Sequence, residues 1–157
     1  MNYAKTTMIC VINGLFSAFI SCKNQSPANN NIPKEVISEE KTKTIEQSLL
    51  PTQEEINSIN SKLPVLVADG TMFTTVEYDE ETKIQTFYYD FTRDIDESMI
   101  KPEIIDQLKG NMVNALKNTN NEARINAGVT FLYVYRSIEK KVLYEILINA
   151  NDLKNYE

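Results

Sequence analysis

The sequence predicts an α+β domain with a four-stranded, mainly antiparallel sheet that a helix covers on one face. Two pairs of segments alternate between apolar and polar residues, and a short turn joins the members of each pair, so each pair indicates a β-hairpin. A helical stripe of apolar residues lies between the hairpins, and a short helix precedes them. The simplest packing places the two hairpins in one sheet beneath the longer helix.

The short N-terminal helix is predicted from a capping pattern. Thr52 and Glu55 have the spacing at which a hydroxyl and a carboxylate satisfy the free backbone N–H groups of a first turn. Ile56 and Ile59 follow on one helical face. We expect this helix to end near Lys62 and the ordered domain to begin at Thr52.

The first hairpin is predicted to join strands 71–79 and 83–92 through the polar turn 79–82. Alternation along its first strand places four side chains on one face: Met72, Thr74, Val76 and Tyr78. Alternation along its second strand places three aromatic side chains together on one face: Phe87, Tyr89 and Phe91. Both strands are therefore aromatic on at least one face.

The longer helix is predicted from Pro102, a residue suited to a first turn, to about Lys117. Apolar residues between 104 and 116 recur at spacings of three and four and form one stripe. A short helical segment, 122–127, follows and ends at Gly128. The second hairpin joins strands 129–135 and 141–149. Its apolar positions share one face of each strand: Val129, Phe131, Tyr133 and Tyr135, then Val142, Tyr144, Ile146 and Ile148.

The N-terminal segment has the features of an export signal. The apolar stretch 8–20 has 13 residues, whereas a spanning helix needs roughly 20. The motif Phe19-Ile20-Ser21-Cys22 resembles a lipobox, the pattern that lipoprotein signal peptidase recognises. We therefore expect a signal peptide at 1–21, an acylated Cys22, a flexible polar tether at 22–51 and a single domain at 52–157. The alternative is an ordinary secretory signal that leaves Cys22 as a stray thiol.

Composition excludes several kinds of chemistry. Without the signal, 15 basic residues remain against 22 acidic ones, which gives a formal charge of −7. The sequence lacks the basic stripe that is typical of nucleic-acid binding proteins. The chain has no histidine, and Cys22 is the only cysteine outside the signal, so the common Ser-His and Cys-His nucleophiles cannot form. Zinc lacks its usual ligands, and the four isolated glycines form no phosphate loop. We expect no enzyme activity, cofactor or metal.

Three acidic positions were candidates for a functional site. A calcium loop that starts at Asp94 would have Met99 at position six and Ile105 at position twelve, so the pattern fails and the segment is predicted to be a solvated loop. Carboxylates in the turn 79–82 are also predicted to be solvated. Asp90 interrupts an apolar strand, and its simplest position is the solvent face of the sheet.

Three short patterns resemble small secreted or lipid-anchored bacterial proteins of the Bacteroidetes and Proteobacteria. These patterns are Leu63-Pro64, Asp69-Gly70-Thr71 and the aromatic strand with its preceding glycine at 127–135. The resemblance covers roughly residues 60–150. It implies a similar α+β fold and a bacterial lipoprotein of the Bacteroidetes type. It implies no catalytic or binding residues.

Tyrosines mark the candidate interaction surface. Five of them are predicted to share the sheet face that the helix leaves uncovered: Tyr78, Tyr88, Tyr133, Tyr135 and Tyr144. Tyrosine is enriched at interfaces because its ring is apolar and its hydroxyl stays hydrated, although β propensity alone also places it in strands. We therefore expect a module anchored to the outer membrane, facing the periplasm, that binds another envelope protein. The alternative is a periplasmic carrier that holds a small apolar ligand between sheet and helix.

Overall fold

The computed structural model describes residues 48–68 and 70–155. The elements in chain order are α1 (Gln53–Asn60), β1 (Val65–Ala68), β2 (Thr71–Asp79), β3 (Ile84–Phe91), a 3-10 turn (Glu97–Met99), α2 (Pro102–Leu116), α3 (Asn120–Asn126), β4 (Thr130–Arg136), β5 (Val142–Ile148) and α4 (Ala150–Asn155). The predicted signal, the lipobox with Cys22 and most of the tether lie outside the described residues. Leu50 packs against the core, so contacts of the domain begin before Thr52.

The sheet confirms the α+β class and both hairpins, but it differs from the prediction in two respects. Within the described residues it has five strands in the order β1-β2-β3-β4-β5, because the four-residue segment β1 pairs with β2. The central pair β3–β4 is parallel, and the other three pairs are antiparallel. The chain between β3 and β4 carries α2 and α3, and a crossover of this length lets it re-enter the sheet in the same direction.

Helix α1 forms where the capping pattern predicted it. The Thr52 hydroxyl accepts a hydrogen bond of 3.2 Å from the backbone N–H of Glu55, and Ile56 is buried. The side-chain amide of Asn60 then binds β2 at Val76, where it accepts from the N–H and donates to the carbonyl oxygen, both at 2.8 Å. Asn60 therefore occupies backbone groups of β2 that no neighbouring strand pairs.

A bulge in β2 changes which of its side chains face the core. Phe73 pairs with Tyr89 and Thr75 pairs with Tyr88, so Thr74 is the extra residue. Strict alternation is therefore wrong for this strand, since Phe73, not Met72, shares a face with Val76 and Tyr78. A second irregularity, next to Tyr135, pairs Val142 with Arg136 and separates Val142 from the buried positions of β5.

Helices α2 and α3 follow the local signals in the sequence. Pro102 starts α2, and its apolar stripe buries four side chains: Leu108, Met112, Val113 and Leu116. Gly128 ends the α3 segment with φ +96°, and its N–H donates to the Ile125 carbonyl at 3.0 Å. The next N–H, of Val129, donates to the Arg124 carbonyl at 3.1 Å. This pair of bonds is the cap that a left-handed glycine allows.

The core lies between helices α1 to α4 and one face of the sheet. Aromatic rings stack along that face, with centroid separations of 4.9 Å for Phe87–Tyr133 and 5.1 Å for Tyr89–Tyr135. The last helix, α4, was not predicted, and its Leu153 also packs in this core. Each helix buries apolar side chains in this single cluster, so the opposite face of the sheet has no helix of the described residues packed on it.

Candidate interaction surface

The uncovered side of the sheet, here called the open face, is defined by strand register. Side chains alternate between the two faces of a strand, so residues that neighbour the buried rings point to the open face. One row crosses all five strands: Leu66, Met72, Asp90, Arg136 and Val142. Two further rows cross strands β2 to β5. The second row contains Thr75, Tyr88, Val134 and Glu145. The third row contains Glu77, Thr86, Leu132 and Leu147.

An ionic cluster occupies the first of these rows. Asp90 is only 4% exposed, although it lies on the open face, where the sequence placed it. The Arg136 Nε donates to its Oδ1 at 2.7 Å, and Lys140 Nζ donates to its Oδ2. Burial alone would raise the pKa of Asp90, but the hydrogen bonds and charges of Arg136 and Lys140 outweigh burial and lower it. Asp90 is therefore an anion that two cations cover.

Tyr88 is held at its ring and at its hydroxyl. The guanidinium carbon of Arg136 lies 4.6 Å from the centroid of the Tyr88 ring, a cation–π contact. The Tyr88 hydroxyl donates to Glu77 Oε2 at 2.9 Å. Burial, and then the Glu77 carboxylate, raise the pKa of Tyr88. These contacts restrict the ring, so a partner that binds here loses little side-chain entropy in ordering it.

Apolar side chains continue the open face toward β5. Leu132 is half-buried and pairs with Leu147, which is 42% exposed. Apart from this strip, Leu66 on β1, at the opposite edge of the sheet, is 65% exposed. Glu77 and Glu145 are also exposed, and they border the apolar strip of Leu132 and Leu147. Apolar area with a polar border is the usual anatomy of a non-obligate protein interface.

The structure separates the five predicted tyrosines. Tyr133 and Tyr135 are buried, at 5% and 4% exposure, and Tyr78 and Tyr144 are half-buried against the same core. Burial raises the pKa values of Tyr133, Tyr135 and Tyr144. Their predicted position on the uncovered face is therefore wrong, because the helices pack on the face that carries the aromatic alternation. Tyr88 lies on the open face, and its role in binding stays a prediction.

Sequence reasoning missed the other members of this surface. Arg136, Leu132, Leu147 and Glu145 all lie on the open face. The sequence pattern could have identified these residues, because each of them alternates with a buried residue of β4 or β5. The aromatic residues of these strands were assigned to the wrong side, and the residues between them were not considered.

The acidic loops have local structural roles. Asp96 caps the 3-10 turn by accepting from Ser98 N–H at 3.0 Å, and Glu97 pairs with Lys141 at 2.8 Å. Backbone N–H groups of the hairpin turn, first that of Thr82, lower the pKa of Asp79. Within residues 48–68 and 70–155, no three acidic or thiol groups are arranged to hold a metal ion. No helix in these ranges is both long and apolar enough to cross a membrane.

Comparison with known proteins places the chain in a family. A family profile described as a domain of unknown function, DUF8479, matches residues 44–144, so the chain belongs to this family. No functionally curated protein matches the chain.

Two solved structures have a similar fold. A pilotin from the type 2 secretion system of Vibrio vulnificus has 11% sequence identity and a TM-score of 0.50, with 74% of this chain and 97% of the pilotin covered. A protein from Pseudomonas aeruginosa that is described as secreted has 8% identity and a TM-score of 0.55, with 70% of this chain and 93% of that protein covered. At these identities the likeness concerns the fold alone.

Proposed function

We propose a function from the surface of the domain and from the N-terminal sequence. The chain is a lipid-anchored, non-enzymatic accessory module of the bacterial cell envelope that binds another envelope protein through its open face. The observation that carries this proposal is the pairing of a fixed Tyr88–Arg136–Asp90 cluster with exposed leucines on a sheet face that no described helix covers. Aromatic and arginine side chains with an apolar neighbourhood are typical of interface centres.

The anchoring part of the proposal comes from the N-terminal sequence. Cys22, in its lipobox-like motif, would carry the acyl chains at the outer membrane, and residues 22–51 would tether the domain in the periplasm. Each buried methylene of a lipid contributes about 0.8 kcal/mol, so two or more chains hold a protein stably at a bilayer. The shared fold with a secretion-system pilotin and a secreted protein supports an envelope role at this coarse level.

The carrier alternative receives less support from the interior of the domain. A carrier needs a cavity of about 300 Å³ or more between sheet and helices. That space contains the stacked rings, among them Tyr135 and Tyr144 with centroids 4.6 Å apart. The filled interior and the exposed surface of the domain therefore favour protein binding at the open face over transport of an apolar ligand.

The binding proposal can be tested by photocrosslinking in the native organism. A photoreactive amino acid placed at Leu66 or Leu147 should crosslink to the same envelope protein, because both positions lie on the open face. The control position is Gln107, an exposed residue of α2 on the helical side of the domain. Capture of the same proteins from Gln107, or of none from either open-face position, would contradict the proposal.

The anchor is tested separately by membrane fractionation. The Cys22→Ala variant should lose the acyl chains and move from the membrane fraction to the soluble fraction. Metabolic labelling with a fatty-acid analogue should mark the wild-type protein and leave the variant unlabelled. A variant that stays in the membrane fraction would refute lipid anchoring at Cys22 and leave the open-face proposal to its own test.

A further inference from the structure

The two edges of the sheet differ in how well they are protected from pairing with another strand. On the β1 side, the edge strand has only four residues, and a register irregularity interrupts it between Leu66 and Ala68. Beyond β1, helix α1 lies along β2, and Asn60 satisfies both backbone groups of Val76. Natural proteins protect sheet edges with such short strands, bulges and covering elements.

Strand β5 has less protection at the other edge. It runs for seven residues, Val142–Ile148, and no strand of the described residues pairs with its outer side. It contains neither proline nor lysine, and Val142 and Leu147 are 48% and 42% exposed. An edge of this length and composition is a template for another extended chain.

We propose that the outer edge of β5 accepts an extended segment of a partner protein as a sixth strand, and that Glu145 selects a segment with a lysine or arginine between apolar residues. This inference deepens the proposed function, since it names how the bound envelope protein is held and rests on that function for the class of partner. Backbone hydrogen bonds would supply affinity, and the alternating side chains would supply specificity.

Charge and spacing on β5 define the chemistry of the segment. Glu145 is exposed and forms no ion pair with any described residue. Leu147 lies two residues further along the same face of the strand, so the partner would present a basic and an apolar side chain at the same spacing. Directly opposed side chains on neighbouring strands lie about 5 Å apart, where opposite charges attract and like charges repel.

A second copy of this chain fits the edge poorly. Antiparallel pairing of two β5 strands centred on Glu145 would place the two carboxylates directly opposite each other. Centring on Tyr144 or Ile146 would leave them as diagonal neighbours about 7–8 Å apart. The whole chain also has a net charge of −6, which disfavours self-association. A basic segment of another protein meets neither obstacle.

The test uses the mature chain with Cys22→Ser, which keeps it in solution, and two fluorescent nine-residue peptides. Both peptides alternate valine and threonine; one has lysine at its centre and the other glutamate. Fluorescence anisotropy should show about tenfold tighter binding of the lysine peptide. The Glu145→Lys variant should reverse this preference, and the matched Glu145→Gln variant should bind both peptides alike.

Hydrogen exchange locates the bound peptide. Backbone amides of β5 should exchange more slowly when the lysine peptide is bound, and amides of β1 should not change. Equal affinity for the two peptides, no binding, unchanged β5 exchange, or dimers of the wild type that Glu145→Lys abolishes would each overturn the inference. Crosslinking from Leu66, at the opposite edge, tests the open face independently, so a failed peptide experiment with intact Leu66 crosslinks would refute strand addition alone.

Discussion

Alkaline pH should destabilise this domain steeply, because its core contains buried tyrosine side chains whose pKa values burial raises. Tyr89, Tyr133 and Tyr135 are 7%, 5% and 4% exposed, and their rings stack on one another. Burial is the largest cause that raises the pKa of each above its ordinary value. In the unfolded chain the same groups ionise with a pKa of about 10.

The sign and size of the effect follow from proton linkage. Above about pH 10 the unfolded chain releases protons that the folded chain retains, so the free energy of unfolding falls as pH rises. Each group contributes about 1.4 kcal/mol per pH unit until the pH reaches its folded pKa. These three groups alone give a slope of about 4 kcal/mol per pH unit, and Tyr144, whose pKa burial also raises, adds to it. A domain with about 5 kcal/mol of stability would therefore unfold about one unit above pH 10.

Urea unfolding followed by circular dichroism between about pH 9 and about pH 11.5 measures this slope. Tyrosinate absorbance should rise for these three groups only as the domain unfolds. The control variant Tyr133→Phe keeps the ring and removes one ionisable group, so its slope should be shallower by about 1.4 kcal/mol per pH unit. Full tyrosinate absorbance in a chain that is still folded, or the same slope in Tyr133→Phe, would refute the reasoning.

Two further substitutions test the open face and the α3 cap. Asp90→Ala removes the anion that Arg136 and Lys140 cover, so it should lower the free energy of unfolding at pH 7 by about 2–3 kcal/mol. Since the folded pKa of Asp90 is lowered, this contribution is present above the unfolded value of about 3.9 and is lost as pH falls through the folded pKa. Urea unfolding of wild type and variant at pH 7 and in strong acid measures this contribution. A loss of stability as large in strong acid as at pH 7 would be inconsistent with an ionic cause. Gly128→Ala places a Cβ at φ +96° and should lower stability by about 1–2 kcal/mol; an unchanged melting temperature would argue against the left-handed cap.

Elements that depend on local chemistry could be predicted from the sequence. The Thr52 cap, the Pro102 start, the glycine at 128 and the polar hairpin turn each act on residues within one turn of themselves, and the structure has them all. Missed elements were short. Strand β1 has four residues and α4 has six, too few to show a period above the background. Strand β1 is held by pairing with β2, and α4 is held by packing of Leu153 in the core.

The assignment of faces could not be predicted in the same way. Alternation divides the side chains of a strand into two sets, but it does not say which set a helix covers. Both sets of β3 include aromatic rings, Tyr88 on one side and Phe87 and Tyr89 on the other. The bulge at Thr74 then exchanges the faces part-way along β2, and a register shift leaves no local mark in the sequence. The aromatic residues therefore predicted the strands of the sheet correctly, but they predicted the wrong face as the exposed one.

The ionic cluster on the open face suits the proposed binding role better than a role in stability. A buried ion pair often contributes no more than apolar side chains of the same volume would, because desolvation offsets the attraction. Val134, which pairs with Tyr88 in the row next to this cluster and is buried, shows that the face accommodates apolar residues. Asp90 with its two cations keeps this part of the face polar and sets the position of the Tyr88 ring through Arg136. The arrangement gives the open face a fixed polar centre, in which the position of the Tyr88 ring depends on Arg136 and Asp90.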